Sequence, residues 1–232
     1  MRSLICTLIL GFSVSAFGAR PSQFTADVYD LKGTEVKFKF EHKLETKGDT
    51  MVALNRYLSA SGEVLITERT EFKNEKMVSY QQSQKQTGGD GIIKIAGDKV
   101  VFTYKNDGKE KTDDEELTSN FVTSPTLMEF MMKNIEALKR GDVFKIRFGV
   151  IDRRETIGFE LRKDSDTTFN GQKAVVIRMK PSSFVIAALV SPLYFTFDEA
   201  GTRGLELRGR LPVKVKDGNS WADFDGRMVY KY

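Results

Sequence analysis

The chain holds one imidazole and one thiol, His42 and Cys6, among 232 residues. A serine or cysteine nucleophile needs a base beside it, and here that base would have to be His42. No serine lies in a Gly-x-Ser-x-Gly elbow, and Cys6 sits in an apolar N-terminal run. The same shortage removes the usual zinc sets, which draw several ligands from His and Cys. Asp113-Asp114-Glu115-Glu116 has the charge for calcium but not the spacing of an EF-hand loop, and reads as a solvated acidic turn. Gly88-Gly89-Asp90-Gly91 lacks the lysine and helix that a phosphate loop requires, and reads as a flexible turn. One pair remains. Asp223 and Asp225 stand two apart near Trp221, so on a strand they share a face, and two carboxylates beside an aromatic are what a glycosidase uses. Asp225-Gly226 also reads as a turn, and 32 acidic residues bring such pairs together by chance. The expectation is a protein that is not an enzyme, with no catalytic residue, no metal and no cofactor. An envelope hydrolase acting through Asp223 or Asp225 is the alternative.

The N-terminal segment addresses the chain. Met1-Arg2 forms a short basic start, Leu4 to Val14 an apolar stretch, and Ala16-Phe17-Gly18 places small residues where a signal peptidase reads. Cleavage is expected after Gly18, leaving residues 19–232 as a single β-rich domain without cysteine. Export to the periplasm of a Gram-negative envelope follows. Cys6 lies inside the apolar run, not at its end, so the lipoprotein pattern is missing. The formal charge is only +4 and falls by one with Arg2. Without a basic cluster, nucleic acid is not an expected partner.

Period-2 patterning dominates the rest. Val36, Phe38, Phe40, His42 and Leu44 alternate with Lys37, Lys39, Glu41, Lys43 and Glu45, so one face meets a core and the other meets water. Leu205 to Val215 repeats the pattern, with Pro212 demanding an edge position or a bulge. Asn170-Gly171 and Asp107-Gly108 are the best tight-turn signals. The count is about 11 strands with short loops: a mainly β, single antiparallel curved sheet or half-barrel. The last strand, with Met228, Tyr230 and Tyr232 on one face, has the aromatic ending of an outer-membrane β-barrel, which is a further alternative. Polar stretches such as Ser79 to Thr87, and His42 on the would-be lipid face, count against it.

One segment is helical. Ser124-Pro125 opens it, Thr126 to Arg140 forms it, and Gly141 closes it. Its apolar residues cover more than half the circumference, which implies contacts on two sides. The expectation is one central amphipathic helix packed in the concave face of the sheet. Apolar helix faces are usually core, yet methionines repack around irregular guests. Phe38, Phe40, Met128, Phe130, Met131 and Met132 are therefore candidate lining residues for an apolar ligand. Phe184 to Val190 is a second apolar run, too short to span a membrane, whose pattern fits either a helical turn or a strand.

The order of these features carries a resemblance. A signal, long antiparallel strands, a central helix, a late Phe-Thr-Phe-Asp strand at 195–198 and Leu205-Glu-Leu-Arg-Gly-Arg-Leu-Pro-Val resemble the periplasmic half-barrel domains related to the lipoprotein-localisation carriers. The resemblance covers most of the mature chain in layout, and no short motif transfers individual binding residues. It implies a cavity for acyl chains under the helix. A lipid or lipoprotein partner follows, with peripheral membrane contact.

Overall fold

The computed structural model describes residues 21–188 and 190–232, without the side chains of Phe184 and Leu189. The expected signal and Cys6 lie outside the described residues. Fifteen strands form one sheet: β1 (Gln23–Asp30), β2 (Val36–Lys47), β3 (Thr50–Ser59), β4 (Val64–Lys73), β5 (Lys76–Gln84), β6 (Gly89–Ala96), β7 (Lys99–Asn106), β8 (Lys109–Glu116), β9 (Phe121–Val122), β10 (Phe144–Val150), β11 (Glu155–Phe169), β12 (Gln172–Pro181), β13 (Leu193–Asp198), β14 (Gly204–Asp217) and β15 (Ser220–Lys231). The count of about 11 is too low because strands such as β8, polar on both faces, lack an apolar alternation to mark them. Among the described residues, three helices replace the single one expected. Asn134 (φ −109°) breaks the central segment into α1 (Ser124–Lys133) and α2 (Ile135–Arg140), and α3 (Phe184–Ala187) makes one turn of the second apolar run.

The strand order is β8 through β1, then β15 back through β9. The sheet is therefore two meanders joined where β1 pairs β15, and every ladder is antiparallel except β9 on β10. Turn chemistry sets the hairpins. Asn170 and Gly171 sit at φ 48° and 82°, the left-handed pair that a two-residue hairpin needs. Pro212 falls in a bulge, where the β14–β15 register jumps between Leu211 and Lys214.

Beyond Arg208, β14 has no strand partner on its β13 side, and the β5–β6 connection reaches across to it. Gln86 donates Nε2–H to the Lys214 carbonyl (2.7 Å) and accepts the Lys214 N–H (2.9 Å), so its amide acts as a substitute strand residue. Gln84 donates to the Pro212 carbonyl (3.1 Å). The β8 edge also meets the β10–β11 hairpin. Glu115 on β8 accepts the backbone N–H of Thr156 (2.8 Å) and its hydroxyl, and Arg154 Nε binds Asp113 (2.6 Å). Side chains thus close the roll where no ladder does. Close approach inside needs small residues: a Cβ on Gly91 would lie 2.8 Å from Ile151 Cγ1.

The inner face holds three apolar clusters. The helices pack over β10–β13 with Met131 and Leu138 fully buried against Leu161, Ile177 and Phe197. Burying each such side chain stabilises the fold by about 2 kcal/mol. A second cluster joins β1–β4 to β14 and β15 through Val28, Phe38, Phe40, Ile66, Val213 and Met228. A third, smaller one surrounds Ile93 and Phe102.

Candidate functional site

Side chains alternate across a strand, and the register makes the alternation into rows. One row runs Phe24, His42, Asn55, Glu68, Gln82, Gly91 and Tyr104 from β1 to β7. It faces inward and is polar where neighbouring rows are apolar. Glu68 is 2 % exposed. Its carboxyl accepts Asn55 Nδ2–H (2.9 Å), the Tyr80 hydroxyl (2.7 Å) and Gln82 Nε2–H (3.2 Å). Asn55 Oδ1 in turn meets His42 Nδ1 (2.8 Å), and the His42 ring stacks on Phe24 at 4.4 Å. Burial, with Glu68 alongside, pushes the Tyr80 hydroxyl well above the usual phenol range, so it remains a neutral donor. The network satisfies buried polar groups and fixes how β2–β5 lie side by side.

On the opposite face of the same strands lies a groove of about 1310 Å³. Its two walls are cross-strand rows. One passes from Lys231 through Thr25, Glu41, Arg56, Thr67, Ser83, Asp90 and Lys105 to Glu110, crossing every strand from β15 to β8. The other includes Lys43, Leu54, Arg69, Gln81, Ile92 and Thr103. The strand backbone at His42, Asn55, Glu68 and Gln82 forms the floor, so the buried row underlies the groove along its length. At about 4.8 Å per strand the groove follows roughly 38 Å of curved sheet. Its charges are mixed. Arg56 pairs with Glu41 (2.5 Å), Lys43 with Glu45 (2.7 Å) and Arg69 with Glu71 (2.6 Å), and Arg69 holds the Glu71 carboxyl below its usual range. Lys105 lies between Asp90 and Glu110 by register and makes no ion pair among the described residues. Leu54 and Ile92 give apolar footing on the second wall. Such a surface presents hydrogen-bonding and charged side chains along its length. Its one imidazole is engaged on the other face by Asn55 and Phe24.

The candidate lining residues of the sequence reading fall into two cores. Phe38 and Phe40 are buried in the second cluster, against Phe224 and Tyr57. Met131 is fully buried under the helix, with Met128, Phe130 and Met132 packed partly buried around the same cluster. The fold does not bring the two groups together. The groove residues were missed because their alternation was read as a solvated face; only the cross-strand register makes rows of them. Gln86 was missed because its stretch reads as polar loop.

The carboxylate pair is tied up in ion pairs. Asp225 accepts from Arg210 Nε (2.6 Å), and Asp223 is bound by both Lys214 and Arg210. Lys214, with help from Arg210, holds the Asp223 carboxyl below its usual range, opposite to what a general acid needs. Trp221 lies under Lys216 Nζ at 4.0 Å. No group of metal-ligating side chains occurs among the described residues, and no helix among them is long and apolar enough to cross a membrane.

One sheet of two joined meanders, tied by side chains between β8 and the β10–β11 hairpin and between the β5–β6 hairpin and β14, defines a β-barrel-like protein. A solved structure of this class is similar to the chain: a β-barrel-like protein of a domain of unknown function, DUF1849, from Brucella abortus, with a TM-score of 0.55 at 10 % identity over 90 % of this chain and 94 % of that one. At that identity the likeness concerns the fold alone. No family model and no curated protein matches the chain.

Proposed function

We propose that this chain is an exported, non-enzymatic binding protein of the cell envelope, and that the groove across β15–β8 holds an extended amphiphile. The groove itself carries the reading. It offers a continuous path of about 1310 Å³, with apolar footing at Leu54 and Ile92 and cations at Arg56 and Lys105. An acyl chain would lie along the former and an anionic or zwitterionic head would meet the latter. The layout shared with the lipoprotein-localisation carriers supports a lipid or lipid-bearing partner. The ligand's place differs from the one the resemblance implies, because the space under α1 and α2 is filled by Met131 and Leu138.

A membrane-embedded barrel fits less well. A charged row from Lys231 to Glu110 stands on the outer face of the strands, where a lipid-facing band would be apolar.

The test is direct. Purified protein is examined by native mass spectrometry for co-purifying lipid and titrated with a fluorescent fatty acid. Uptake is expected, and Arg56→Glu with Lys105→Glu should weaken it about ten-fold or more, as two favourable charge contacts become repulsive. Absence of bound lipid together with absence of uptake ends the reading.

A further inference from the structure

A second surface lies on the other half of the sheet, away from the groove. Across the outer face of β11–β15 and β1, one register row runs Arg162, Arg178, Tyr194, Arg208, Arg227 and Tyr29. Arg208 lies over the Tyr194 ring at 5.6 Å and Arg227 over Tyr29 at 4.8 Å, so the rings hold the guanidinium groups in place. Carboxylates only partly offset the row: Asp164 is 3.6 Å from Arg178, and Glu206 serves both Arg208 and Arg227. Arg162 has no ion pair among the described residues.

The β12–β13 connection lies beside this row, between Arg178 on β12 and Tyr194 on β13. From Ser182 to Pro192 it carries no charged residue. Ile186 anchors it to the helix-side core, while Val185 is 70 % exposed and Ala187 and Ala188 are exposed beside it. Two cations stand at its foot, each beside a carboxylate: Arg147 at 3.5 Å from Glu115 and Lys180 at 3.7 Å from Glu160. A Cβ on Gly158 would lie 3.6 Å from Ser182 Cβ and 3.7 Å from Arg147 Nη1, and Lys180 directly precedes the connection. An exposed apolar tip costs free energy in water unless something covers it.

We infer that this face docks on an anionic phospholipid bilayer, with the tip around Val185 entering the interface and the Arg178–Arg208 row meeting lipid phosphates. Charge complementarity selects anionic lipid, and the uncharged tip selects a bilayer over a soluble polyanion, which would leave Val185 uncovered. The docking face and the proposed ligand groove are separate, so either stands without the other.

Vesicle co-sedimentation tests it, with neutral phosphatidylcholine vesicles against vesicles holding about 30 mol% phosphatidylglycerol. The protein should sediment with the anionic vesicles and be released by about 0.5 M salt, where the screening length falls to a few ångströms. Arg178→Ala and Arg208→Ala should each weaken binding about five-fold. Val185→Trp in a Trp221→Phe background reports the tip directly, and its emission should shift to the blue on anionic vesicles. Val143→Asp, at another exposed apolar residue, should bind like the parent. Equal sedimentation with both vesicle types, no sedimentation with either, or an unshifted tip tryptophan on a sedimenting protein would each overturn the inference.

Discussion

Replacing Glu68 by leucine strands the donors that converge on it. Asn55 Nδ2 and the Tyr80 hydroxyl sit at 2.9 and 2.7 Å from its carboxyl, and both residues are buried, at 8 % and 3 % exposure. Gln82 is only half-buried and can turn to water. Two buried donors left without acceptors cost about 2 kcal/mol each, and removing the desolvated carboxyl returns part of that, so the net loss is about 3 kcal/mol. The measurement is equilibrium unfolding in urea. With a slope near 2.5 kcal/mol per M for a domain of this size, the midpoint should fall by about 1.2 M. Tyr80→Phe alone should cost about 1.5 kcal/mol, and the double variant should cost clearly less than the sum, because the second change removes a donor that the first had stranded. A midpoint change under about 0.3 M, or strict additivity of the two variants, would show that the row beneath the groove is not an energetic unit.

Two further outcomes follow from other parts of the molecule. Met131→Ala opens a void at a fully buried position beneath α1 and should cost about 3 kcal/mol in the same urea assay, while leaving fatty-acid uptake intact because the groove lies elsewhere. Asp223 has its folded pKa lowered by Lys214, so its contribution to stability is present above its unfolded value of 3.8 and is lost as pH falls through the folded value. Asp223→Asn should therefore be less stable than the parent at neutral pH, by about 0.5 kcal/mol or less for so exposed a pair, and the gap should narrow as the solution is acidified; a gap that does not narrow in acid would refute the assignment.

The sequence made the strands legible wherever one face was apolar. The alternation of β2, the edge-or-bulge alternative at Pro212 and the Asn170-Gly171 turn could be read directly, because each rests on a local rule of backbone or burial. Strand β8 could not, since Lys109 to Glu116 is polar on both faces and leaves no period to detect, although the Asp107-Gly108 turn that precedes it could. Helix α1 was legible from its opening and its apolar face, but not its break at Asn134, whose side chain bonds the Phe130 carbonyl at 2.8 Å and competes with the helix ladder. The groove was illegible for a different reason. Lys105 and Lys231 are more than a hundred residues apart, and only the pairing of β1 with β15 places them in one row. His42 read as the end of an apolar face, and the structure adds its partner on the next strand, Asn55.

That pairing of β1 with β15 also governs when the protein can form. The two strands that are furthest apart in the chain are neighbours at the centre of the sheet, so neither meander can gain its inner partner until the last strand has been made. Helices and hairpins can form early, but the central ladder waits on the longest loop closure in the molecule. A chain built this way stays open during synthesis and completes itself in one late step. The same pairing predicts that losing β15 would unmake both halves at once, since each would be left with a long, unpaired inner edge.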